Sequence, residues 1–137
     1  QRILSVPELY TSMGNTIAPD EVLAEIAISS PPANSEQIYL KFAFRYPIEF
    51  ATVSVAVLVS EEDGVCKDVR IVLGAVAPAP VRAKEAEEFL KGKPITERNA
   101  TEAAEVALKG AKPLRMNAYK VRIAKTLVKR ALLRKEI

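Results

Sequence analysis

The sequence predicts an α+β fold: an antiparallel β-sheet of about four strands followed by three helices packed on one face. Three observations carry this. Two β-branched runs flank Glu61, Glu62, Asp63 and Gly64, as in a long hairpin. Past Pro78 and Pro80 the apolar period changes from two to about 3.6. Strand patterns all precede helix patterns and nothing repeats, which favours an antiparallel sheet with segregated helices.

The hairpin spans residues 51–60 and 65–77. Alternation puts Val53, Val55, Val57 and Val59 on one face and Thr52, Ser54, Ala56 and Leu58 on the other. In the partner strand Val69, Ile71 and Leu73 share the core face, while Cys66, Asp68 and Arg70 alternate away from it. Upstream, residues 4–13 form a short segment with Pro7 in a plausible first turn, followed by a loop through Gly14 and Asn15. Ala18, Pro19, Asp20 and Glu21 are turn chemistry leading into a strand at residues 22–28. There Val22, Ala24, Ile26 and Ile28 oppose Leu23, Glu25 and Ala27. Pro31 and Pro32 break the chain before a strand at residues 37–46, whose Ile38, Leu40, Phe42 and Phe44 should face the core. Lys41 and Arg45 then project to the opposite face, about 13 Å apart. Pro78 and Pro80 end ladder pairing, and a helix begins near Arg82. Further helices cover residues 96–108 and about 117–135. The last carries Tyr119, Ile123, Leu127 and Ala131 as an apolar stripe, with Tyr119 an anchor to the sheet rather than a chemical group.

At 137 residues, with 49% apolar and 27% charged side chains, the sequence reads as one soluble domain over residues 1–137. No apolar run approaches the roughly 20 residues of a membrane helix, and the start at Gln1 without Met reads as a piece of something longer. One cysteine and no histidine exclude a disulfide, cysteine-ligated zinc, iron–sulfur ligation and imidazole catalysis within the chain. No catalytic and no metal-ligating residue is expected. The net charge of +3 conceals a basic C-terminal stretch: Arg115, Lys120, Arg122, Lys125, Lys129, Arg130, Arg134 and Lys135 against Glu136. One reading is a non-catalytic interaction module contacting nucleic acid or another protein. The other is a solvated helix face, favoured because no aromatic interleaves the cations and Glu85, Glu87 and Glu88 lie on a neighbouring helix.

Residues 70–83, RIVLGAVAPAPVRA, with a helix and then LKGKP at 90–94, resemble the C-terminal domain of the FAD-binding medium subunit of molybdenum hydroxylases, the carbon monoxide dehydrogenase and xanthine dehydrogenase group. Other pieces agree in order: APDEVLAEI at 18–26, LKF at 40–42 with Arg45 following, EFA at 49–51, NAYK at 117–120 and KRAL at 129–132. Departures from the family pattern are Ala75 for its second glycine, Glu49 for its aspartate, Asn117 for its serine and Lys120 for its arginine. Ala75 is expected to need only an ordinary φ.

The resemblance implies a domain that closes against a flavin cradled mainly by an N-terminal FAD-binding domain absent from this sequence. It also implies partner subunits, a small one with iron–sulfur clusters and a large one with molybdopterin, in a cytoplasmic oxidoreductase that passes electrons through FAD to an acceptor. Substrate choice would belong to the molybdenum subunit. Only five glycines are present, none grouped as a pyrophosphate-cradling loop, so the isolated piece should be catalytically silent. By resemblance Lys41 and Leu23 lie near the isoalloxazine, with Arg45 and Glu49 as loop residues ordering its edge. The pattern alone favours a solvated strand lysine for Lys41 and an edge residue for Leu23.

Overall fold

The computed structural model of the chain describes residues 1–45 and 48–135. Its centre is the expected hairpin, β4 at Val53–Glu62 and β5 at Val65–Gly74, joined by a two-residue turn. Asp63 and Gly64 both have positive φ, 51° and 73°, which is what a tight turn matching strand twist requires. β3, Ser35–Phe42, pairs antiparallel with β4, and the two-residue β6, Val81–Arg82, pairs antiparallel with β5, giving the order β3-β4-β5-β6. Ahead of the sheet stand a one-turn helix α1, Val6–Leu9, and a minimal hairpin of β1, Tyr10–Thr11, and β2, Gly14–Asn15.

Three helices follow: α2 at Lys84–Leu90, α3 at Glu97–Ala107 and α4 at Tyr119–Leu132. α2 lies on β5 and α4 on β4 and β3, while α3 packs against both helices. The α3 face toward them is Ala100, Ala103 and Ala104, all buried, and small side chains let the helices approach closely. The core joins Val53, Val55, Val57, Val59, Val69, Ile71 and Leu73 of the sheet to Leu90, Leu127, Val128 and Leu132 of the helices. Each such fully buried aliphatic side chain contributes about 1.5–3 kcal/mol. Among the described residues no helix lies on the opposite sheet face; on it Tyr39 is 63% exposed. Among the described residues no helix is long and apolar enough to cross a membrane.

Four expectations are corrected. Residues 22–28 form no strand and join no sheet; Val22, Leu23, Ile26 and Ile28 are exposed. Alternation shows only that a segment could have two faces, whereas a strand also needs a ladder partner, and here β6 takes the fourth place. Phe44 is 69% exposed, because β3 ends at Phe42 and the chain bends. The expected extension of that strand through residues 43–45 is absent; Tyr46 lies outside the described residues, as does Glu136. Cys66 is fully buried, because the register slips between Ser60 and Glu61, pairing Ser60 with Asp68 but Glu61 with Cys66. That bulge turns the cysteine from the face of Asp68 to the core. Ala75 has φ 60°, the left-handed backbone that the family's glycine would adopt without strain.

Candidate functional site

Across the ladder Lys41 pairs with Ser54 and Ser54 with Gly74, so one end of the open sheet face is defined by a single row. Leu40 is buried and Phe42 half-buried against the helices, so the pleat directs Lys41 the other way. The chain then loops and returns, with the Thr52 N–H donating to the Phe42 carbonyl at 2.8 Å and the Glu49 N–H to the Arg45 carbonyl at 3.2 Å.

The loop is held by the residues singled out from the sequence. The Lys41 Nζ donates to the Glu49 carbonyl oxygen at 3.1 Å. The Glu49 carboxylate accepts from the Arg45 main-chain N–H at 2.9 Å and from its Nη2 at 3.1 Å. Lys41, Arg45 and Glu49 are therefore one hydrogen-bonded group. The Glu49 carboxylate thus reaches back four residues to the Arg45 main chain. The Arg45 side chain remains 84% exposed, so its guanidinium is accessible from solvent. Leu23 is not part of this group: it stands on the unpaired run before β3, 57% exposed.

Three further features were missed by sequence reasoning. A Cβ at Gly74 would collide with the Ser54 Oγ, so any larger residue there would force the Ser54 hydroxyl to move. The Ala75 carbonyl accepts from the Lys120 Nζ at 3.1 Å, tying the loop after β5 to the first turn of α4. Just before that turn, the Asn117 Oδ1 accepts from the Leu114 N–H at 2.7 Å. Glu87 is 4% exposed, and its Oε1 accepts from the Ile71 N–H and from the Arg82 Nε, each at 2.9 Å. The α2 carboxylate thereby satisfies a β5 donor that the short β6 does not pair. The signal was legible: Glu87 falls among Ala83, Ala86 and Leu90 on the apolar helical face, and an acid there calls for a partner such as Arg82.

The basic stretch spends much of its charge internally. Lys129 and Lys135 contact Glu97 at 2.6 and 3.4 Å, Lys125 pairs with Glu105, and Arg134 bridges Glu36, at 2.5 Å, and Glu61. Among the described residues no group of acids and cysteine could hold a metal ion, and burial pushes the Cys66 thiol pKa up.

Comparison with known proteins places the fold. The nicotinate dehydrogenase FAD-subunit of Eubacterium barkeri is 31% identical over 83 residues, 60% of this chain and 28% of that protein. The xanthine dehydrogenase FAD-binding subunit of Escherichia coli O157:H7 is 24% identical over 116 residues, 82% of this chain and 39% of that protein. A cyanide-inactivated Cu,Mo-CO dehydrogenase structure matches with TM-score 0.88 and 28% identity over 97% of this chain and 48% of its own. Quinoline 2-oxidoreductase from Pseudomonas putida 86 matches with TM-score 0.69 and 33% identity over 75% of this chain and 37% of its own. The chain thus spans less than half the length of these relatives. The family model of the CO dehydrogenase flavoprotein C-terminal domain matches residues 38–135, from within β3 past the end of α4, and the chain belongs to that family.

Proposed function

We propose that this chain is the C-terminal part of the FAD-binding subunit of a molybdenum-containing hydroxylase or dehydrogenase, in which an N-terminal domain holds most of the flavin and this domain closes against it. The observation that carries the reading is the family match over residues 38–135, supported by FAD subunits among the curated relatives. The donor set fits one part of the cofactor and not another. Lys41 and the exposed Arg45 suit the anionic edge of a flavin ring, and Leu23 suits its plane. Without grouped glycines, nothing in the chain suits the pyrophosphate. Bound FAD would supply the redox chemistry, carrying electrons from iron–sulfur clusters on a small subunit, fed by a molybdopterin subunit, to an acceptor. This chain's own contribution is to bind and orient: the sheet fixes the Lys41 direction, and the Glu49 carbonyl and carboxylate fix Lys41 and Arg45 relative to each other. On its own the chain is catalytically silent. The interaction-module reading is weakened because half of the eight cations of the basic C-terminal stretch, Lys125, Lys129, Arg134 and Lys135, are paired with acids of the same chain.

The test is Lys41→Ala in the complete subunit. The variant should keep the circular dichroism of the wild-type sheet, but the reduction potential of its bound flavin should fall, because a reduced anionic ring loses more stabilisation than an oxidised one when the ammonium is removed. A potential and flavin affinity equal to wild type in the folded variant would return Lys41 to the ordinary strand lysines.

A further inference from the structure

From Val106 to Lys135 the sequence carries ten lysines and arginines and no acid. Five of these cations are engaged within the chain: Lys120 at the Ala75 carbonyl, and Lys125, Lys129, Arg134 and Lys135 at carboxylates. The other five, Lys109, Lys112, Arg115, Arg122 and Arg130, are exposed and form no ion pair among the described residues. Lys109, Lys112 and Arg115 fall on the connection between α3 and α4, and Arg122 and Arg130 follow on α4, about 12 Å apart at 1.5 Å per residue. The first turn of α4 holds no acid, so cations gathered at that end oppose its macrodipole and bring the fold no gain. The same connection borders a groove of about 380 Å³. One wall is the loop after β5, with Val76 and Val81; the other is the connection and the start of α4, with Leu108, Ala111 and Val121. Lys112 and Lys120 also line it, and no acid does. The Lys120 Nζ, donating to the Ala75 carbonyl at 3.1 Å, ties the two walls together. The connection is itself held, with the Ala111 N–H donating to the Leu108 carbonyl at 3.0 Å and the Leu114 N–H to the Asn117 Oδ1 at 2.7 Å. The groove is therefore preformed, and beside it Leu114 and Met116 are 74% and 82% exposed.

We propose that this groove and its cationic border form a docking site for an acidic segment of another protein, whose apolar side chain enters the groove while flanking carboxylates meet Lys109, Lys112 and Arg115. Charge selects the occupant. Unpaired cations with no acid among them attract a carboxylate-rich partner, raise its rate of encounter and repel basic surfaces. The lining selects the form. A phosphate backbone would leave an apolar groove empty, and the connection offers bases no aromatic platform; Tyr119, at its far end, has its ring 6.3 Å from that of Phe44. A flat bilayer would meet Leu114 and Met116 but not fill a concavity. A small acid could fill it, yet would leave Arg122 and Arg130, which run away from it along α4, without use. The site is separate from the flavin contacts given under Proposed function. Leu73 reaches the groove from the core face of β5, whereas Lys41 points to the opposite face of the sheet.

The experiment measures fluorescence anisotropy of labelled peptides added to the complete subunit. In the probes a leucine or phenylalanine is flanked by aspartates and glutamates; in the controls asparagine and glutamine replace the acids. The acidic peptides should bind at least about tenfold more tightly than the amide controls and lose that advantage as salt is raised. Joint replacement Lys109→Glu, Lys112→Glu and Arg115→Glu should weaken them by at least about tenfold, with the melting temperature and flavin content unchanged, because all three side chains are exposed and unpaired. Ala111→Trp, which fills the groove from an exposed position, should weaken them similarly without altering charge. Wild-type binding by the folded Ala111→Trp variant overturns the groove as the site. Equal affinity for acidic and amide peptides, or binding of neither, overturns the proposal and leaves the functional reading standing. Tighter binding of phosphatidylserine vesicles or duplex DNA than of any acidic peptide overturns it in favour of a membrane or nucleic-acid surface. A dimer by light scattering that the triple replacement dissolves overturns it in favour of a second copy.

Discussion

Gly74 and Ser54 meet across the β4–β5 ladder so closely that the pair behaves as one unit. Ser54 is 8% exposed, and its hydroxyl occupies the space that a side chain at position 74 would need. Gly74→Ala should therefore cost about 2 kcal/mol, the scale of overpacking in a well-packed site. In a Ser54→Ala background the same substitution should cost far less, because only the hydroxyl is in the way. Urea denaturation of the four members of this cycle measures the coupling; additive costs would mean that Gly74 is needed for some other reason. Neither member of the pair was legible as such. Periodicity gave the facing of both strands, but the separation of two main chains is a tertiary fact. The same limit explains Ala75, whose left-handed φ depends on the turn out of β5 and on the Lys120 ammonium at its carbonyl. Lys41 was better served, since a pleat fixed by Leu40 and Phe42 on either side is visible in sequence, while its hold on the Glu49 carbonyl is not.

At the scale of elements, one extra residue in β5 decides the environment of the only cysteine. The bulge beside Lys67 turns Cys66 into the core, and its main chain is clamped to the connection after α2: the Cys66 N–H donates to the Lys93 carbonyl and the Gly92 N–H to the Cys66 carbonyl, each at 2.9 Å. Strict alternation misplaced it because a bulge reverses every facing beyond it. Buried and with its pKa pushed up, this thiol should be inert to a disulfide reagent in the native chain and react once per chain in denaturant, on the unfolding curve followed by circular dichroism. Rapid native labelling would place Cys66 on the surface. The α3–α4 contact makes a different prediction. Glu97, hydrogen-bonded first by Lys129 and then by Lys135, has its pKa lowered from the ordinary 4.5. A carboxylate with a depressed folded-state pKa stabilises the fold above the unfolded value and loses that contribution as pH falls through the folded one. Thermal stability should accordingly decline below pH 4.5, and Glu97→Gln should make the decline shallower. An unchanged acid slope in that variant would assign the sensitivity to other carboxylates.

For the molecule as a whole, the fold class was legible because it depends on gross order: β-branched runs first, a proline-interrupted exit, then helices with a 3.6-residue stripe. What escaped was the division between residues that fold and residues that precede the fold. Amphipathic alternation at 22–28 has the same appearance whether its ladder lies inside the chain or elsewhere. The distribution of burial separates the two cases. No hydrophobic residue before Leu40 is among those buried in the core, and α1, β1 and β2 pack mainly on one another. Removing residues 1–34 would delete the Arg2–Glu21 pair and the Ser5–Glu8 capping box, both exposed, while leaving all four strands of the main sheet and the three long helices in place. Exposed ion pairs contribute little. The shortened chain should melt within about 2 °C of the 137-residue chain, a difference well under 1 kcal/mol for a domain of this size. Its urea dependence should fall only by the little surface that the removed part buries. A loss of cooperative unfolding on truncation would mean that the leading segment belongs to the core unit, and the boundary drawn here before β3 would then be wrong.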